Sequence, residues 1–357
     1  MALIWSGVSS RTRPHRLLLP SLFAALVALT VAVTACGTKE GGPGAATDGN
    51  RTEVRVALDW YANPDHAGLI FARDEGLFES AGLDVQLDEP TDPALPLKLV
   101  ESGEVDLAIS YQPEVLLARA RGSETVAIAS LVGRPLTSMI WLEKSGIKRV
   151  RDLKGKVIST AGIPYQKAYL RTILARAGLT ESDVRTVSVG QSLLPSILSG
   201  KAKATLGPFW NIEGVNLKLN RKRPVINPGN RLGVPSYDEL VLIANRKRLE
   251  EDPESICLFL GALSRATAEA ERRPNLATDL VLSANPALEP RQTAAQMRVT
   301  LPLLAATNSA EPFGYLNSVK WQTFIDWMVD NELLESRLSA VAAIDNDFLP
   351  GRCLEGA

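Results

Sequence analysis

Four stretches of this chain set a flat aromatic ring beside an amide, a carboxyl group or exposed backbone. They read Trp60-Tyr61-Ala62-Asn63-Pro64-Asp65-His66, Ser110-Tyr111-Gln112-Pro113-Glu114, Ala161-Gly162-Ile163-Pro164-Tyr165 and Gly207-Pro208-Phe209-Trp210-Asn211-Ile212-Glu213. Aromatic faces stack on a planar ligand while amide and carboxyl groups hydrogen-bond its edge, so the combination suits a planar, nitrogen-bearing molecule. Any one of these rings is equally well explained as a plug of local core; four such loops together point to binding. Glu213 stands apart, because its aromatic neighbours Phe209 and Trp210 make burial of a carboxylate costly unless a donor partner is supplied. An amino group on a ligand would supply one.

Catalytic readings of the same residues are weaker. The chain has two histidines, and His15 lies in a segment with the pattern of a removable leader, which leaves His66 as the single imidazole of the exported protein. A multi-histidine metal site is thereby excluded. No Gly-x-Ser-x-Gly elbow, phosphate-cradling Gly-x-x-x-x-Gly-Lys or Cys-x-x-Cys is present. Asp59 and Asp65 have the residue types of a catalytic carboxyl pair, but helix-capping or solvated roles are commoner. His66 is expected to order the start of its helix or to hydrogen-bond a ligand rather than to catalyse. No cofactor is expected.

The elements that must position these loops alternate between strand and helix. Charged and apolar residues alternate at the start of Glu53–Leu58, and Ala67, Ile70, Phe71, Leu77 and Phe78 then recur at helical spacing within 66–81. Strands are expected at 84–87, 105–110, 125–132, 138–143 and 156–160, with helices at 94–102, 113–121, 166–177 and 193–199. Strand, helix and strand in series imply parallel-rich sheets flanked by helices, an α/β class. Ligands of such sheets bind at loops leaving the carboxyl ends of strands, where the four aromatic loops fall. From about Pro253 the pattern turns helical, over 255–272, 275–283, 290–304 and 318–331. A further strand at 239–244 returns the chain to the first sheet. The expected division is a discontinuous first lobe (52–140 and 239–357), a second lobe (141–238) and a cleft between them.

The first 35 residues run from Arg11, Arg13 and Arg16 into the apolar segment Leu17–Val33, the order of a secretory signal. Val33-Thr34-Ala35-Cys36 resembles the bacterial lipobox, so lipidation at Cys36 is expected, followed by a Gly-rich tether over 36–51. Removing three basic and no acidic residues takes the formal charge from −1 to −4, which gives no basis for nucleic-acid binding. The expected place is the extracytoplasmic face of the cell membrane. Cys257 and Cys353 remain as an even pair, open to a disulfide or to two separate buried thiols.

The blocks Leu58-Asp59-Trp60, Asn63 to Leu69, Asp74-Glu75-Gly76-Leu77-Phe78 and Gly82-Leu83-Asp84-Val85 together resemble the opening of periplasmic-type binding proteins for thiamine pyrimidine precursors, a family that also contains the eukaryotic thiamine-pyrimidine synthases. The likeness continues through Ser102–Asp106, Asp152–Lys156, Gly162-Ile163-Pro164, Trp210–Gly214 and Gly233–Leu240. It implies a two-lobed, type II binding-protein fold, monomeric, that closes on a small ligand and presents it to an ABC permease and its ATPase. The implied ligand is a formylamino- or hydroxymethyl-type pyrimidine; riboflavin, another flat heterocycle or a sulfonate are alternatives within the same architecture. Carried onto this chain, ligand contact falls to Trp60, Asn63, His66, Tyr111 and Glu213, with Tyr165, Trp210 and Asn211 beside them. Trp60 would stack on the ring, Asn63 and Glu213 would read its edge, and His66 would donate to a ligand carbonyl. The synthases carry a cofactor-binding lysine and, four residues later, a histidine after the third strand, where this chain has Ser110 and Glu114. Their cysteine-rich run is replaced here by Pro235-Ser236-Tyr237-Asp238-Glu239. The implied role is binding without turnover.

Overall fold

The computed structural model describes residues 51–304 and 311–353. The leader, Cys36 and all of the tether except Arg51 lie outside the described residues. The chain first lays down β1 (Thr52–Ala57), β2 (Leu83–Asp88), β3 (Leu107–Ser110) and β4 (Thr125–Val132), then β5 (Thr137–Leu142), β6 (Val157–Thr160), β7 (Arg185–Ser188), β8 (Ala204–Phe209) and β9 (Pro224–Pro228), and finally β10 (Leu240–Asn245). They form two five-stranded sheets, in the orders β2-β1-β3-β10-β4 and β7-β6-β8-β5-β9. This is the two-lobed α/β architecture, with each sheet the centre of one lobe.

Both sheets are mixed. β1 pairs parallel with β2 and β3, whereas β10 lies antiparallel between β3 and β4. Its sequence Leu-Val-Leu-Ile-Ala is buried throughout, as a central strand covered on both faces requires. In the second sheet β6 pairs parallel with β7 and β8, and β5 runs antiparallel to β8 and β9. Because β5 already begins at Thr137, the chain passes from the first sheet to the second over 133–136; a boundary at Trp141 would cut through a strand. β7, β8 and β9 carry no clear strand signal in the sequence. β7 is a short, largely exposed edge, β8 contains Gly207-Pro208, and β9 begins and ends with proline, residues that ordinarily punctuate strands.

The helical pattern over 66–81 resolves into Ala67–Asp74 and Leu77–Ser80, broken at Gly76, whose φ of 71° is left-handed and costs glycine little. The long helix Pro253–Arg272 starts with proline in its first turn and an Asp252 side chain accepting the Ser255 N–H. It buries Ile256, Phe259, Leu260, Leu263 and Ala266, spaced to one face, with Phe259 stacked on Phe78 at 4.7 Å. Each such large apolar side chain contributes about 1.5–3 kcal/mol by leaving water. Cys257 on this helix is bonded to Cys353, their Cα atoms 5.8 Å apart, which ties the C-terminal segment to the first lobe.

Candidate ligand-binding site

The carboxyl ends of β1, β3, β6 and β8 meet between the lobes around a cleft of about 430 Å³. The first lobe contributes Asp59, Trp60, Asn63, Asp65 and Tyr111; the second contributes Ile163, Tyr165, Gln166, Phe209 and Glu213, among others. Rings approach each other across the divide, with Tyr111 and Tyr165 centroids 5.6 Å apart. Gly207 has a φ of 125°, and a side chain there would run into the Gln166 amide, so a bare backbone is required at this wall.

The β1 loop is organised from within. Asn63 caps the short 3-10 turn Pro64–His66: its Oδ1 accepts the Asp65 N–H at 2.9 Å, and its Nδ2 donates to the Tyr61 carbonyl. The Asn63 N–H in turn donates to Nδ1 of His66 at 3.2 Å. An acceptor Nδ1 puts the ring proton on Nε2, which donates to Asp59 Oδ1 at 2.8 Å. Asp59 Oδ2 accepts the Tyr111 hydroxyl at 2.7 Å. His66, with 1 % of its surface exposed, is fully engaged and does not line the cleft. The expectation that it meets a ligand carbonyl is therefore corrected: His66 fixes Asp59, and Asp59 faces the cleft.

Two further expectations change. Asn211 is completely buried and does not line the cleft. Its Nδ2 donates across the lobes to Asp65 Oδ1 at 2.6 Å and to Thr300 Oγ1 at 2.9 Å, and its Oδ1 has no partner among the described residues. Beside it Gln296 Nε2 donates to the Ile212 carbonyl. Asn211 is a latch between the lobes. Trp210 turns away from the cleft, with its Nε1–H donating to the Pro135 carbonyl in the segment that joins the sheets. Trp60, Asn63, Tyr111, Tyr165 and Glu213 do line the cleft, together with Asp59 and Asp65.

The electrostatics are one-sided. Glu213 Oε2 accepts the Phe209 N–H at 2.8 Å, yet burial, helped by the charge of Asp59, pushes its carboxyl up to about 7. Burial also raises Asp65 well above the carboxylate range, against the lowering effect of its Asn211 bond. Behind the cleft Glu114, hydrogen-bonded by Ser110, is pushed up to about 7 by burial. No Lys, Arg or His is among the described residues lining the cleft. The sequence had marked Asp59 and Asp65 only as a weak pair; their position just after β1 was the available signal. Phe209 and Ile163 belong to two of the four aromatic loops, whereas Gln166, the first residue of the expected helix at 166–177, carries no signal of its own.

Residues 63–277 match the family described as NMT1/THI5-like. A Haemophilus influenzae protein named for thiamine biosynthesis is 37% identical over 81% of this chain and 90% of its own length. A formylaminopyrimidine-binding protein of Halalkalibacterium halodurans is 34% identical over 82% of this chain and 89% of its own. An Aspergillus parasiticus 4-amino-5-hydroxymethyl-2-methylpyrimidine phosphate synthase is 31% identical over 60% of this chain and 66% of its own. Among solved structures, the alkanesulfonate-binding protein SsuA of Xanthomonas axonopodis pv. citri superposes with a TM-score of 0.65 over 84% of this chain and 99% of that one, at 19% identity, a likeness of fold.

Proposed function

The chain belongs to the NMT1/THI5-like family, and from that premise we propose that it is the solute-binding component of an ABC importer and carries an unphosphorylated aminopyrimidine of the thiamine-precursor type. The observation that carries this reading is the cleft's polarity: Asp59, Asp65 and Glu213 line it and no basic side chain does. A ligand there must bring hydrogen-bond donors, as the exocyclic amine of an aminopyrimidine does, or positive charge. An alkanesulfonate or a phosphorylated pyrimidine would place an anion against these carboxyl groups with nothing to neutralise it.

Trp60, Tyr111 and Tyr165 supply the faces for that ring, and Asn63 and Glu213 its edge contacts. Binding without turnover is supported at Ser110 and Glu114, which occupy the synthase lysine and histidine positions and are spent on each other at 3.2 Å. The other departure is supported by Glu239, which accepts the Leu136 and Thr137 N–H groups and the Tyr237 hydroxyl, a clasp of the two connecting segments.

We place the protein outside the membrane, tethered through Cys36. The Cys257–Cys353 disulfide, of a kind that persists in oxidising compartments, supports that location, and no helix among the described residues is long and apolar enough to cross a membrane. Metabolic labelling with a palmitate analogue should mark the protein and lose the mark in Cys36→Ser; label retained in that variant would remove the anchor. Titration calorimetry tests the ligand: formylaminopyrimidine should bind, whereas an alkanesulfonate and riboflavin should not. Tight riboflavin binding would overturn the single-ring assignment.

A further inference from the structure

On the second lobe's wall of the cleft the helix Tyr165–Arg176 begins with Tyr165 and Gln166, and Gln166 is only 2 % exposed. Its amide is held one way round. Oε1 accepts the Ala161 N–H at 2.9 Å, so a flipped amide would set one N–H against another, and Nε2 is the atom left for the cleft that Gln166 lines. Nε2 donates to nothing among the described residues and is not sealed inside the protein. The fold keeps room for it: a Cβ at Gly207, inside β8, would lie 2.7 Å from Nε2. Further along the same strand Phe209 gives its N–H to Glu213. A free donor and a carboxyl acceptor therefore meet the end of β8 at neighbouring points. On the first lobe's wall Asn63 Nδ2 and the Tyr111 hydroxyl already donate to the Tyr61 carbonyl and to Asp59.

Resting on the aminopyrimidine reading above, we propose that Gln166 is a specificity-determining residue whose Nε2 donates to an uncharged acceptor of the ligand, a ring nitrogen or the formyl oxygen, while Glu213 takes the exocyclic amine. The carboxyl groups of Asp59, Asp65 and Glu213 by themselves would admit any donor or cation. Gln166 narrows that choice. A simple ammonium ion brings donors only, and closing the cleft over it leaves the Gln166 N–H desolvated and unpaired. An anion brings acceptors, but an amide carries no charge to offset its burial beside carboxyl groups. A neutral ring with both an amine and a lone pair satisfies Glu213 and Gln166 together.

The test pairs two variants with four ligands in titration calorimetry on the purified protein. Gln166→Glu keeps the shape and the Ala161 bond and replaces the donor by an oxygen; Gln166→Met removes the donor without adding charge. The ligands are formylaminopyrimidine, its two ring analogues with one nitrogen replaced by C–H, and the analogue with methyl in place of the formylaminomethyl group. Both variants should weaken formylaminopyrimidine about ten- to a hundredfold, while the melting temperature of empty Gln166→Glu stays near that of the wild type. The analogue that lacks the engaged acceptor should bind the wild type weakly and lose nothing more in either variant. A C–H analogue behaving so identifies a ring nitrogen, and the methyl analogue identifies the formyl oxygen. Unchanged affinity for formylaminopyrimidine in the variants, or equal weakening of all four ligands, would overturn the role of Gln166. If formylaminopyrimidine fails to bind the wild type, the aminopyrimidine reading falls and Gln166 with it; if wild type and variants bind it alike, the role of Gln166 alone is lost.

Discussion

His66 and Asp59 are joined by a 2.8 Å hydrogen bond in which the imidazole, held at its other nitrogen by the Asn63 backbone, donates to a carboxyl group that faces the cleft. The only histidine among the described residues thus orients a cleft-lining carboxyl group without lining the cleft itself.

This arrangement predicts that His66→Ala weakens aminopyrimidine binding although the ring touches no ligand. Loss of a positioning hydrogen bond to a charged or polar group costs about 1.5–3 kcal/mol, roughly ten- to a hundredfold in Kd. His66→Gln, whose amide can still donate to Asp59, should recover part of it. Equal affinities in wild type, Ala and Gln variants would confine His66 to the core.

Trp60 is half-buried and lines the cleft. Trp60→Ala should weaken binding more than about a hundredfold, as loss of a stacking anchor does, while the melting temperature of the empty protein moves little. A large fall in melting temperature with unchanged Kd would place Trp60 in the core.

The latch gives a separable effect. Asn211→Ala removes the bonds from the second lobe to Asp65 and Thr300, so the empty protein should open and its radius of gyration, measured by small-angle scattering, should rise. Affinity falls by about tenfold because closure is then driven by ligand alone. Unchanged scattering would show that Asn211 does not hold the lobes.

The acidic lining makes stability depend on pH with a definite sign. Glu213 and Glu114 have folded-state values near 7, above the ordinary value of 4.5. Folding therefore favours their protonated forms: the contribution is fully present below about 4.5 and is lost as pH rises through about 7. The ligand-free protein should lose melting temperature between pH 5 and 8, on the order of 3 °C per group, and Glu213→Gln should flatten the slope. Formylaminopyrimidine should raise the melting temperature more at pH 8 than at pH 5.5, since its donors stabilise the ionised carboxyl. An identical slope in Glu213→Gln would remove that residue from the account.

What the sequence disclosed depended on the kind of signal. Strands with uniform apolar character, such as β4 and β10, and helices with a one-sided stripe, such as Pro253–Arg272, could be read because burial dictates residue type there. β8 and β9 could not, because Gly207, Pro208, Pro224 and Pro228 write turn chemistry into segments whose pairing is decided by the neighbouring β5. At the site the residue types were legible but their directions were not. Trp60 and Glu213 face the cleft, whereas Trp210 and Asn211, in the same loop as Glu213, spend their polar atoms on Pro135, Asp65 and Thr300. Those partners lie far away in the chain, so no local pattern announces them.

A cleft lined by Asp59, Asp65 and Glu213 without a basic residue should select an unphosphorylated aminopyrimidine over an anion. Titration calorimetry at neutral pH of formylaminopyrimidine, its phosphorylated hydroxymethyl counterpart and an alkanesulfonate tests it most directly. Formylaminopyrimidine should bind at about micromolar Kd or tighter and the two anions should not bind. Anions that bind as tightly as formylaminopyrimidine would contradict it.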